Sequence, residues 1–201
     1  MDCSQTPEQV IARCLQIGIN CIAITDHGEV AGALEAQNLA PFPVIVGEEV
    51  LTPHGEVMGL FLQEKIPSPI PVEEAIAQIK AQGGLVCIPH PFDPLRLSRL
   101  RNKARQMILR QVDMVEVYNA RSLLPIDTIR AQRLVRTNGL LASAGSDAHT
   151  RREIGNAYIE MPEFDDKDSF LRSLAQGKIH GRRTNPLVHF ASTWTNLKKR
   201  F

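Results

Sequence analysis

No run of roughly 18 consecutive apolar residues occurs in this sequence, which excludes a bilayer-spanning helix. Charge of one sign is not in excess either: 23 basic against 22 acidic residues leave a net charge of +1. A field that weak gathers neither nucleic acid nor a membrane surface, so any anion has to be recognised locally. Aromatic residues amount to only 5%, and Trp194 and Phe190 read as packing residues rather than a base-stacking platform. Cys3, Cys14, Cys21 and Cys87 show no C-x-x-C spacing and read as reduced thiols of a cytoplasmic protein. Met1-Asp2-Cys3-Ser4 lacks both the basic and the apolar region of a signal peptide. Internal repeats, low-complexity stretches and Gly/Ser linkers are missing too, so residues 1–201 are expected to form one domain.

What is present is enough apolar content, 43% of 201 residues, to bury a sizeable core. Thr6-Pro7-Glu8-Gln9 predicts a helix start, with Thr6 capping, Pro7 at the first helical position and Gln9 completing a capping box; Gly18 stops it. Residues 21–25 predict a buried strand ending at Asp26-His27-Gly28, and an Ala-rich helix follows over residues 30–38. Residues 43–51 form an apolar strand carrying Glu48 and Glu49, and alternation puts only Glu49 on the Gly47 face. A hairpin return over residues 56–62, a helix from Pro71 to Gly83-Gly84 and a strand over 85–88 come next. Prolines on both sides of His90 hold it in a stiff loop. A basic helix (97–110), a strand ending at Asn119, and a helix capped by Asp127 precede the strand that runs into Gly145-Ser146-Asp147-Ala148-His149. A strand over 157–161 and a helix over 167–176 follow, and the tail from Lys178 is read as short elements or irregular.

Repeated strand–helix units imply an α/β fold with a parallel sheet, open or closed, whose functional residues gather at the carboxyl ends of the strands. His27, Glu49, His90, Asp147 and His149 all fall there, with Asn119 on a further strand. Imidazoles and carboxylates are ordinary ligands of catalytic divalent cations. Five such residues exceed one open tetrahedral site, so two or three ions sharing Glu49 are expected, with Zn, Mn or Fe favoured over Mg or Ca. Paired ions roughly 3.5–4 Å apart clamp the attacking and leaving oxygens of a phosphoryl ester. Arg121, just past Asn119, and Arg182-Arg183 are candidates to bind the substrate phosphate. The arginines of the basic stretch, Arg96 among them, read as a solvated helix face, the alternative being that the first of them reach a substrate phosphate. His54, His180 and His189 read as surface or packing residues.

Taken together, Ile24-Thr25-Asp26-His27, Gly47-Glu48-Glu49-Val50, Pro89-His90-Pro91, Glu116-Val117-Tyr118-Asn119 and Gly145-Ser146-Asp147-Ala148-His149 resemble the successive motifs of the PHP (polymerase and histidinol phosphatase) family. The resemblance implies a distorted TIM-like (β/α)7 barrel, a two- or three-metal site on His27, Glu49, His90, Asp147 and His149, and phosphoester hydrolysis. In the family pattern a strand bearing His-x-His precedes the motif matched here by Asp2 and Thr6-Pro7-Glu8, and a further histidine falls near Met58. Neither is found in this sequence, so the first strand is expected to be missing and the sheet edge it would cover to be exposed. The function implied is hydrolysis of a small phosphomonoester or nucleotide by a metal-activated water, with His27 or His149 protonating the leaving group; long nucleic acid and membranes are not expected partners. One alternative is a non-catalytic metal- or phosphate-binding remnant of the same fold. Another is an amidohydrolase, which usually wants a lysine on a mid-barrel strand, and no strand read here carries one.

Overall fold

A computed structural model of the chain describes residues 5–184. Helix α1 (Pro7–Ile17) begins as its residues dictate: Thr6 Oγ1 accepts from the Gln9 amide, the Gln9 side chain answers, and Gly18 closes the helix at φ 77°. Strand β1 (Ile22–His27) leads through α2 (Ala31–Leu39) to β2 (Val44–Thr52), which turns tightly into β3 (Gly55–Leu60). The turn requires glycine at position 55, where φ is 117° and an added Cβ would lie 2.4 Å from the Arg99 carbonyl oxygen. Helix α3 (Val72–Ala81), β4 (Leu85–Ile88), α4 (Asn102–Ile108), β5 (Met114–Asn119), α5 (Pro125–Asn138) and β6 (Leu141–Gly145) complete the main sheet. After it come β7 (Ala157–Glu160), α6 (Lys167–Leu174) and β8 (Lys178–Gly181).

The six strands run in the order β1-β2-β3-β4-β5-β6, all parallel to their neighbours except β3. This is a mixed α/β fold whose sheet curls into a half-barrel; a full seven-unit barrel is not what the described residues form. The carboxyl ends of β1, β2, β4, β5 and β6 share one rim, and antiparallel β3 brings its amino end there instead. Alternation along β2 sorts the two faces. Val46 and Val50 join Val57, Val86, Ile88 and Val115 against Ile76 and Ile79 of α3 and Ile108 of α4. Ile45 faces the other way with Leu60, Leu85, Cys87 and Met114, against Phe170 and Leu174 of α6. Burying each such aliphatic side chain contributes about 1.5–3 kcal/mol.

Three expectations need correction, and one open reading resolves. Of the two readings of the tail, the short element holds for Lys178–Gly181, which pairs antiparallel with Ala157–Glu160. The N-cap of α5 is Leu124, and Asp127 is buried inside the first turn without capping it. The basic stretch is only helical from Asn102, and it is not uniformly solvated: Arg105 is buried, donates to the Pro91 carbonyl at 2.7 Å and lies 4.3 Å from the centre of the Phe92 ring. Lys178 does lie on a strand, but one in the separate two-stranded sheet. His54 is exposed at the β2–β3 turn and His180 sits on β8, while His189, Phe190 and Trp194 fall outside the described residues. No helix among the described residues is long and apolar enough to cross a membrane.

Candidate metal centre

The parallel pairing of β1 with β2 sets His27 opposite Glu49. In the antiparallel pair, Glu49 lies opposite Met58, so Glu56, two residues back along β3, is its diagonal neighbour on the same face, nearer the rim. His27 Nδ1 is 3.2 Å from Glu49 Oε2 and 3.5 Å from Glu56 Oε2. One ligand atom from each of these three residues lies within 4.8 Å of the others. His90, in the proline-flanked loop after β4, is 3% exposed and places Nε2 3.0 Å from Glu56 Oε1. Glu56 is itself held by the Ser98 hydroxyl at 2.7 Å. Glu48 points to the opposite face, where it accepts from the Ile66 amide at 2.8 Å.

Across the rim, Glu116 Oε2 accepts from the His90 amide at 2.8 Å and from Asn119 Nδ2 at 3.0 Å. The Asn119 amide also donates to Asp147 Oδ2 at 3.0 Å, so one side chain ties the ends of β5 and β6 together. Asp147 takes a left-handed backbone conformation, φ 49°, in the turn after β6, and His149 Nδ1 lies 3.0 Å from its carbonyl oxygen. Gly145 is required because Glu116 crosses it: an added Cβ would meet Oε1 at 2.5 Å. The floor below these residues is a cleft of about 1000 Å³ between β1 and β6, lined lower down by Ile45, Met58, Leu60 and Met114.

Burial and the surrounding carboxylates of Glu56, Asp147 and Glu116 push Glu49 well above the ordinary glutamate range. Glu116 is raised as well, chiefly by burial. Burial acts in the same sense on Glu56, but the contact with His90, the Ser98 hydroxyl and the charge of His27 outweigh it and hold Glu56 low. For Asp147 burial is again outweighed, by the positive charges of Arg96, His90 and His149. Arg96 donates directly to Asp147 Oδ2 and lies 3.7 Å from Asp93 Oδ2. Neither ring nitrogen of His90 has an aligned hydrogen-bond partner although the ring is buried. A crowded set of buried carboxylates beside a buried imidazole with no aligned hydrogen bond is stabilised by cations, so the residues present fit divalent metal ions. Oxygen and imidazole donors suit Zn, Mn or Fe.

All five predicted ligand positions therefore stand at one rim, with Asn119 between them. The predicted phosphate-binding arginines are engaged elsewhere: Arg121 Nε is 3.8 Å from Glu153 Oε1, Arg182 donates to Asn156 Oδ1 at 2.8 Å, and Arg183 donates to the Ser122 carbonyl. Sequence reasoning missed Glu56, Glu116 and Arg96. Glu116 stands two residues before Tyr118 in a strand already noted for its end, and Glu56 follows a turn glycine. Those two local signals were available.

A half-barrel α/β sheet thus gathers imidazoles and carboxylates at the rim of its strands, a donor set that suits divalent cations. A family model described as PHP-associated matches residues 125–179. Two uncharacterized proteins of Methanocaldococcus jannaschii are similar to the chain. MJ0417 is 36% identical over 168 residues, 80% of this chain and 66% of the relative; MJ1587 is 38% identical over 122 residues, 59% and 69%. The chain thus spans about two thirds of the length of these relatives. Among solved structures, a two-domain protein of Bacteroides vulgatus containing a predicted PHP-like metal-dependent phosphoesterase shares the fold at a TM-score of 0.73 and 14% identity, over 90% of this chain and 61% of that one. A candidate metal-dependent phosphoesterase of Bifidobacterium adolescentis does so at 0.65 and 18%, over 92% and 94%. An amidohydrolase of Chromobacterium violaceum with bound sulfate and no metal does so at 0.60 and 19%, over 74% and 84%. The chain belongs to the PHP family.

Proposed function

We propose that the chain is a metal-dependent phosphoesterase acting on a small phosphomonoester or nucleotide. The observation that carries this reading is the convergence of His27, Glu49, Glu56, His90, Asp147 and His149 on one rim, where burial and then the neighbouring acids hold Glu49 well above the ordinary glutamate range. These residues would hold two or three divalent cations. Bound there, the cations would polarise the phosphoryl oxygens and lower the pKa of water.

The chain's own residues do the rest. Asn119 fixes the Asp147 carboxylate, and Ser98 fixes Glu56. His27, whose side chain is 41% exposed, would supply the proton to a leaving oxygen, with His149, 19% exposed, as the other candidate. Arg96 is the cation nearest the acids, while Arg121, Arg182 and Arg183 would have to release Glu153, Asn156 and the Ser122 carbonyl to bind the phosphate. A phosphoester is favoured over an amide because the strands of the rim sheet carry no lysine to bridge two ions. A small substrate is favoured over long nucleic acid by the net charge of +1.

The test is turnover of p-nitrophenyl phosphate and a panel of nucleotides with Mn, Zn or Fe supplied in turn. Glu49→Ala should lower kcat/KM by about a hundredfold or more. Activity unchanged in that variant, or amide hydrolysis without phosphoester hydrolysis, would overturn the reading.

A further inference from the structure

Glu153 is 2% exposed and was not singled out by any motif, yet its contacts end on the turn that carries two of the candidate ligands. Its Oε2 accepts from the His149 amide at 3.1 Å and from the Thr150 hydroxyl at 2.9 Å. Its Oε1 lies 3.8 Å from Arg121 Nε. The Arg121 amide donates to Asn119 Oδ1 at 2.9 Å, and the Asn119 side chain donates to Asp147 at 3.0 Å. Asn119, Arg121, Glu153, His149 and Asp147 therefore form a closed ring joining the end of β5 to the turn after β6. The turn needs such a clamp, because Asp147 has a left-handed backbone, which residues with a Cβ adopt at a cost.

We propose that Glu153 is a positioning residue that holds Asp147 and His149 as one half of the metal site. The other half, His27, Glu49, Glu56 and His90, is built on β1 to β4 and does not depend on it. The inference rests on the two-cation reading of the proposed function. Outer groups that orient metal ligands typically change affinity by about 10–100-fold when removed. Glu153 acts on its ligands through their backbone and through Thr150, so its loss should unfasten one half selectively.

The experiment is a calorimetric Zn²⁺ titration of the full chain, stripped of metal, beside Glu153→Ala and Glu153→Gln, with circular dichroism confirming the fold. In Glu153→Ala the first equivalent should bind as in the parent, and the second about 10–100-fold more weakly. Glu153→Gln should restore most of the loss, since an amide oxygen accepts the same two hydrogen bonds. Should Glu153→Ala not fold, Thr150→Val carries the test: it removes one donor to Glu153 and should weaken the second equivalent alone, by a smaller factor. Unchanged binding of both equivalents, simultaneous loss of both in a folded variant, or no rescue by Gln would overturn the role of Glu153 while leaving the two-cation reading intact. A parent protein that takes up fewer than two equivalents contradicts the two-cation reading itself, and this inference with it.

Discussion

Replacing Gly145 by alanine isolates the close packing at the centre of the site. The glycine has no unusual φ, so alanine is allowed by the backbone, and the whole effect comes from what its methyl group meets. That neighbour is Glu116 Oε1, 2.5 Å from the added carbon. Ordinary van der Waals contact needs about an ångström more. Glu116 cannot retreat freely, because it is buried and its other oxygen holds the His90 amide and the Asn119 side chain. Hydrogen bonds to a charged acceptor are worth about 1.5–3 kcal/mol each, so weakening both should cost about 3 kcal/mol. At about 2–4 °C per kcal/mol for a chain of this size, the melting temperature should fall by about 6–12 °C. The assay is thermal unfolding of Gly145→Ala alone and in a Glu116→Ala background. Without the carboxylate the same methyl group should cost less than about 1 kcal/mol, giving a coupling of about 2 kcal/mol. An equal cost in both backgrounds would refute the reasoning.

Two further outcomes follow from the buried titratable groups. The folded-state pKa values of Glu49 and Glu116 lie above the ordinary glutamate value, so their contribution to stability is fully present below that ordinary value and is lost as pH rises through the folded values. Glu56 and Asp147 are shifted the other way, and their contribution is lost only as pH falls through their lowered values. Chelator-treated protein should therefore melt lower at about pH 8 than at about pH 5.5, Glu49→Gln should flatten the slope, and a flat or rising profile in the parent would contradict the charge crowding. Burial pushes the Cys87 thiol up to about 12 and Cys21 to about 11, so iodoacetamide at about pH 8 should leave both unmodified in native protein and modify both after denaturation, as read by peptide mass spectrometry.

The rim was legible because five of its residues each end an apolar run, which is where a parallel sheet delivers its side chains. His27, Glu49, His90, Asp147 and His149 could be placed together without coordinates. The strand order could not, and the missed residues trace to it. Glu56 comes to the rim only because β3 runs backwards, so it starts its strand rather than ending it. Arg96 looked like one charge on a helix face until the turns of the 90–101 loop delayed the helix to Asn102 and freed its guanidinium to reach Asp147. Glu153 follows the last motif and has no periodic context at all. The pairing of β7 with β8 was not legible because α6 separates them and Lys178–Gly181 is only four residues long, too short for alternation to register.

The most direct measurement is elemental analysis of the chain purified without chelator, alongside Glu49→Ala and Glu56→Ala. About two equivalents of Mn, Fe or Zn in the parent, with at least one lost in each variant, is the predicted result. Less than about a tenth of an equivalent in the parent, or uptake that neither substitution alters, would contradict the claim that this rim is a metal centre.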